Sequence, residues 1–183
     1  MKRLPAISGH GDHDSRLTVT PVPTLDFNNN MIGRVIVTAP DAATGRMVTA
    51  KLAGLPLMAE GDVSKGHLVP ADSDAVFSDY LSDSKKWVTV TPILGAFDNG
   101  DLRQRSRNFA RMFKQAGLPV PVSISTIPKH DRFFVSKSHG HDRLPRFHMA
   151  VEFEKPVSGI VATGAGRYSG LGIFANLSRF ATA

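Results

Sequence analysis

Near the C-terminal end of the 183-residue chain stands the run Gly164-Ala165-Gly166-Arg167-Tyr168-Ser169-Gly170-Leu171-Gly172-Ile173-Phe174. Glycines accept positive φ and let a backbone come close to a phosphate, so such a run suggests a dinucleotide or nucleotide fold first. That fold needs a long helix after the loop and an acidic residue about 20 positions further on. Only 11 residues follow Gly172, and none is acidic. Dinucleotide-binding and P-loop architectures are therefore excluded. Two readings of the run remain: an anion-binding loop, with Arg167 on a phosphate and Tyr168 against a base, or a turn that packs tightly.

The elements upstream point the same way. Residues 17–25 and 33–39 read as strands, with Asn28, Asn29 and Asn30 as the turn between them. Residues 41–55 read as a helix capped by Asp41, and 59–83 mostly as loop. Residues 86–94 alternate as a strand does. Residues 102–116 carry the strongest helical signal, with an apolar stripe of Leu102, Phe109, Met112, Phe113 and Ala116. Asp101 suits the start, and Gly117 followed by Pro119 suits the stop. Residues 120–127 and 147–153 read as strands. Residues 157–163 are expected to pair with the latter around a turn at 154–156, and 171–177 form a closing apolar piece. Strands and helices mix without regular alternation and without internal repeats, which predicts an α+β fold with helices on one face of an antiparallel sheet.

Charge is concentrated in one place. The chain has 22 basic and 16 acidic residues, a net charge of +6. Residues 101–148 hold 10 of the basic groups against only Asp101, Asp131 and Asp142. Such clustering suits a polyanion, nucleic acid before others; the alternative is a solvated helix face beside a basic loop. Arg103, Arg107, Arg111 and Lys114 recur at spacings of four, four and three, so they share one face of the predicted helix.

The chain contains no cysteine, so disulfides, thiolate metal sites and a cysteine nucleophile are excluded. Met1-Lys2-Arg3 has the charge of a secretory signal, but Ser8, Gly9, His10 and Asp12 replace its apolar core. With no apolar run of membrane length, the reading is a cytoplasmic protein with no membrane partner. Candidate acid–base groups are histidines. His10 and His13 lie in a loop of small residues with Asp12 and Asp14. His139 and His141 lie in a basic loop with Lys137 and Arg143. The His10–Asp14 cluster offers metal ligands only at loose spacing, so no metal and no cofactor are expected, with a small metallohydrolase as the minor alternative. His148 alternates with apolar neighbours and is equally a sheet-face residue. His67 and His130 read as surface residues.

Residues 147–153 (Phe147 to Phe153), Pro156-Val157-Ser158-Gly159 and the glycine run together resemble the closing segment of the CRISPR RAMP endoribonucleases, which process the repeat-containing precursor of guide RNA. Trp87 to Pro92, Ala116 to Pro121 and Ser8-Gly9-His10 also resemble the nuclease half of the fused subunit of type I-G (formerly I-U) Cascade. The resemblance implies two ferredoxin-like (RRM-like) halves, residues 1–95 and 96–183. It implies metal-independent cleavage of repeat RNA, in which a ribose 2′-OH attacks the adjacent phosphate, and it implies crRNA and other Cascade subunits as partners. In that chemistry His10 is the first candidate for base or acid, followed by His13, His139 and His141. Arg103, Arg107, Arg111, Lys114, Lys137, Arg143, Gly164, Gly166, Arg167, Tyr168, Gly170 and Gly172 would hold the RNA. A non-catalytic crRNA-binding subunit is the alternative within the same family.

Overall fold

A computed structural model describes residues 18–23, 32–55, 68–71, 75–95, 102–127, 146–167 and 170–176. The elements in these segments are β1 (Thr18–Pro23), β2 (Ile32–Thr38), α1 (Ala42–Leu52), α2 (Ala75–Leu81), β3 (Ser84–Thr89), β4 (Ile93–Leu94), α3 (Leu102–Gln115), β5 (Ser123–Ile127), β6 (Arg146–Val157) and β7 (Phe174–Asn176). The fold is mixed α+β with antiparallel pairing. No helix among the described residues is long and apolar enough to cross a membrane.

The chain divides into two compact units, Met1–Thr20 with Val35–Asp74 and Pro21–Arg34 with Ala75–Ala183. β1 and β2 form a two-stranded sheet. In the first unit α1 starts where Asp41, in an extended conformation, accepts hydrogen bonds from the Thr44 N–H at 2.8 Å and the Thr44 hydroxyl at 2.7 Å. This satisfies an orphan donor of the first turn. The bond from the Thr44 backbone is the main reason the Asp41 carboxyl titrates below its ordinary value. The helix ends at Leu52, three residues before the predicted limit, and Gly54 donates its N–H to the Leu68 carbonyl at 2.8 Å.

In the second unit β6 is the central strand. Val151 faces Trp87 of β3 and Ile124 of β5, so those strands lie on opposite edges of β6. β7 pairs with the far side of β3, with Val88 facing Ala175. The order across the sheet is β5-β6-β3-β7, and α3 crosses from the β3–β4 side to β5. Period-two alternation aims Met149, Val151 and Phe153 at a core shared with Trp87, Ile93, Phe109, Phe113, Val161 and Phe174. Edge-on ring contacts join α3 to the sheet: Phe109 to Phe147 at 6.0 Å and Phe113 to Phe153 at 5.9 Å.

Two expectations need correction. The predicted strand over 86–94 is broken. Val90 donates to the Ile173 carbonyl at 2.8 Å, in register with the β3–β7 pairing, and the Thr89 hydroxyl accepts the Met149 N–H at 3.0 Å. Pairing with β6 resumes two residues out of step, at Ile93–Phe147 and Leu94–Arg146. Within residues 59–83, read mostly as loop, α2 is anchored by the fully buried Tyr80, whose burial pushes its hydroxyl well above the usual range. No turn forms at 154–156, because β6 continues to Val157, which faces Ser84. Ala162 bridges instead to Ile173. β3 and β4 share one sheet with β5, β6 and β7.

Candidate nucleic-acid interface

Helix α3 separates two kinds of side chain. Phe109 and Phe113 are buried and Met112 is half-buried against the sheet. Arg107, Arg111 and Lys114 are exposed on the opposite side. At 1.5 Å of rise per residue they span about 10 Å along the axis. Among the described residues no hydrogen bond or ion pair engages these three side chains. With Ala110 and the exposed Gln115 they line a shallow, open depression. Arg103 belongs to the first turns of the same helix.

The helix stop is built as the sequence predicts. Gly117, at φ 72°, donates to the Lys114 carbonyl at 3.0 Å, and Leu118 donates to the Phe113 carbonyl at 3.0 Å. This is a Schellman closure, with Leu118 also packed on the core.

The glycine segment is arranged differently. Gly164, Gly170 and Gly172 are buried and Gly166 is half-buried. Four of its backbone donors are committed inward. Ala165 donates to the Leu94 carbonyl at 2.8 Å, Leu171 to Gly166 at 3.2 Å and Gly172 to Pro92 at 2.9 Å. Ile173 donates to the Thr91 hydroxyl at 2.9 Å. Those N–H groups do not face an external anion. Gly172 has φ 63° and lies so close to the Thr163 carbonyl that a Cβ there would collide with it. These features fit the tightly packed turn among the two sequence readings. Arg167 donates to the Gln115 carbonyl at 3.2 Å and to the Gly164 carbonyl at 3.4 Å, so its guanidinium lies at the C-terminal end of α3.

His10, His13, Lys137, His139, His141, Arg143 and Tyr168 lie outside the described residues, as do His67 and His130. His148 is 6% exposed, and its Nδ1 lies 3.1 Å from the Thr89 hydroxyl, so it is a sheet residue with a fixed ring. Among the described residues no cluster of three His, Asp or Glu side chains is placed to hold a metal ion.

Sequence reasoning missed Thr163. It is fully buried, and its hydroxyl donates to the Met112 carbonyl at 3.0 Å. No local pattern marks it, because its partner is 51 residues away. Comparison of the chain with protein-family models, with curated proteins and with solved structures gives no match.

Proposed function

We propose that this protein binds RNA through the basic face of α3 and is a CRISPR RAMP-type endoribonuclease that cuts repeat RNA without a metal. The observation that carries the reading is the row Arg107, Arg111 and Lys114, exposed opposite the core and unengaged among the described residues. Long cations on a convex helix face suit phosphate oxygens, which position an RNA without specifying its sequence. The strand order β5-β6-β3-β7, with α3 crossing between β3 and β5, supports a ferredoxin-like unit of the RAMP kind. The resemblance of the segments around Trp87, Phe147 and Gly164 supplies the reaction class.

In that reaction a ribose 2′-oxygen bonds to the adjacent phosphorus while the bond to the 5′-oxygen breaks. A base takes the hydroxyl proton, and an acid protonates the leaving oxygen. The products carry a 2′,3′-cyclic phosphate and a 5′-OH. The histidines proposed for these roles are His10 first, then His13, His139 and His141. The processed crRNA and other Cascade subunits are the proposed partners, in the cytoplasm.

The test is incubation with repeat RNA in EDTA. A discrete product ending in a cyclic phosphate is expected. A 2′-deoxy substitution just 5′ of the scissile phosphate is expected to abolish cleavage. His10→Ala is expected to slow single-turnover cleavage about 10²–10⁴-fold while leaving affinity intact. Cleavage of the deoxy substrate refutes the mechanism. Tight binding without cleavage selects the non-catalytic crRNA-binding subunit.

A further inference from the structure

The last four carbonyls of α3 have no continuing helix to receive, yet each has a donor. Phe113 and Lys114 are closed by Leu118 and Gly117. Met112 accepts from the Ala116 N–H at 3.1 Å and from the Thr163 hydroxyl at 3.0 Å. Gln115 accepts from Arg167 at 3.2 Å. Two of the donors thus come from one short stretch, Thr163 to Arg167, at the head of the glycine segment. That stretch is held in turn by the Ala165 N–H on the Leu94 carbonyl at 2.8 Å and by the Thr163 N–H on the Gly172 carbonyl at 3.0 Å. The turn so closed carries Lys114, and Arg111 immediately precedes it. A cation beside the carbonyl end of a helix is also favoured by the helix dipole.

We propose that Thr163 and Arg167 are positioning residues: together they clamp the last turn of α3 to the glycine segment and fix Arg111 and Lys114 in the arrangement that meets a polyanion. The function of the clamp rests on the basic face of α3 being a binding surface. Arg167 then acts through the helix and not as a phosphate ligand, the role the sequence alone suggests for it. Thr163 separates the two roles. It is fully buried and has no access to a ligand, so any effect it has on binding is indirect.

The experiment measures affinity for two probes, heparin and a repeat RNA stem–loop, with the whole chain. Arg167→Ala and Thr163→Val are each expected to weaken both by roughly 3- to 10-fold, the coupling of residues in one hydrogen-bonded network. Thr163→Ser keeps the hydroxyl and is expected to restore wild-type affinity. In an Arg111→Ala/Lys114→Ala background, neither clamp substitution is expected to weaken binding further. Loss from Arg167→Ala that persists in that background makes Arg167 a direct ligand and overturns the proposal. Unchanged affinity in Thr163→Val overturns it also, reducing the clamp to fold stability; this variant keeps the test decisive if Arg167→Ala does not fold. Heparin binding with the expected pattern but no RNA binding refutes the RNA reading and leaves the clamp standing. Binding of neither probe by the wild type removes the surface and the proposal with it.

Discussion

Helix α3 and the glycine segment look alike as sequence, and each reads as a place for phosphate. Folded, they face opposite ways. The helix turns Arg107, Arg111 and Lys114 outward. The segment turns Gly164, Gly170 and Gly172 inward and commits the N–H groups of Ala165, Gly172 and Ile173 to Leu94, Pro92 and Thr91. A period of 3.6 carries direction, since an apolar stripe forces the charged residues to the far side. A run of glycines carries none. It permits close approach, and only the partner decides whether that partner is a ligand or the protein's own strand.

The contrast breaks most sharply at Gly172. Adding one methyl group there drives it into the Thr163 carbonyl, while the Thr163 N–H already holds the Gly172 carbonyl at 3.0 Å. Backbone strain and a buried clash combine, so Gly172→Ala is expected to cost about 4 kcal/mol or more, the range reserved for such mechanisms. Urea unfolding followed by circular dichroism measures it. A Gly172→Ala protein with wild-type stability and weakened RNA binding would return the segment to the role of a phosphate loop.

The basic face should behave in the opposite way. Replacing Arg107, Arg111 and Lys114 together by alanine removes exposed charge and leaves the buried face of α3 untouched. Each substitution is expected to change stability by less than about 0.5 kcal/mol. RNA affinity should fall, and its dependence on salt should flatten by about 0.7 in log K against log salt for each single-strand phosphate that is no longer neutralised. Titrations at several salt concentrations give the slope directly. An unchanged slope in the triple variant would mean that the face looks away from RNA.

How much of this was legible follows from the range of each interaction. The limits of α3, its buried Phe109 and Phe113 and its stop at Gly117 rest on neighbours within a few turns, and all were readable. So was the cap at Asp41, whose partner Thr44 is three residues on. β6 showed its core face through alternation. The break at residues 90–92 was not readable; there the Thr91 hydroxyl accepts the N–H of Ile173, 82 residues further on. The seven-residue α2 has one fully buried anchor, Tyr80, and too few turns for a period to show. At the candidate site the cations were visible from their spacing. The attachment of Thr163 and Arg167 to the end of α3 depends on contacts more than 50 residues apart, and nothing local announces it.

A finer test compares two glycines with nearly the same backbone. Gly117 has φ 72° and Gly172 has φ 63°, so an alanine at either is strained by its conformation. Their surroundings differ. A Cβ at Gly117 would meet nothing within 4 Å, because the residue is an exposed stop at the end of α3. Gly117→Ala therefore isolates the conformational part of the cost, about 1 kcal/mol. Gly117→Asn should cost less, since asparagine tolerates the left-handed region. Both variants should unfold with an unchanged denaturant slope and a midpoint only slightly lower than wild type. The excess seen at Gly172 over Gly117 is then the packing contribution of the inward-facing segment. Equal losses at the two sites would mean that the segment yields to the extra methyl group, and the contrast between a rigid inner turn and an outward helix face would no longer hold.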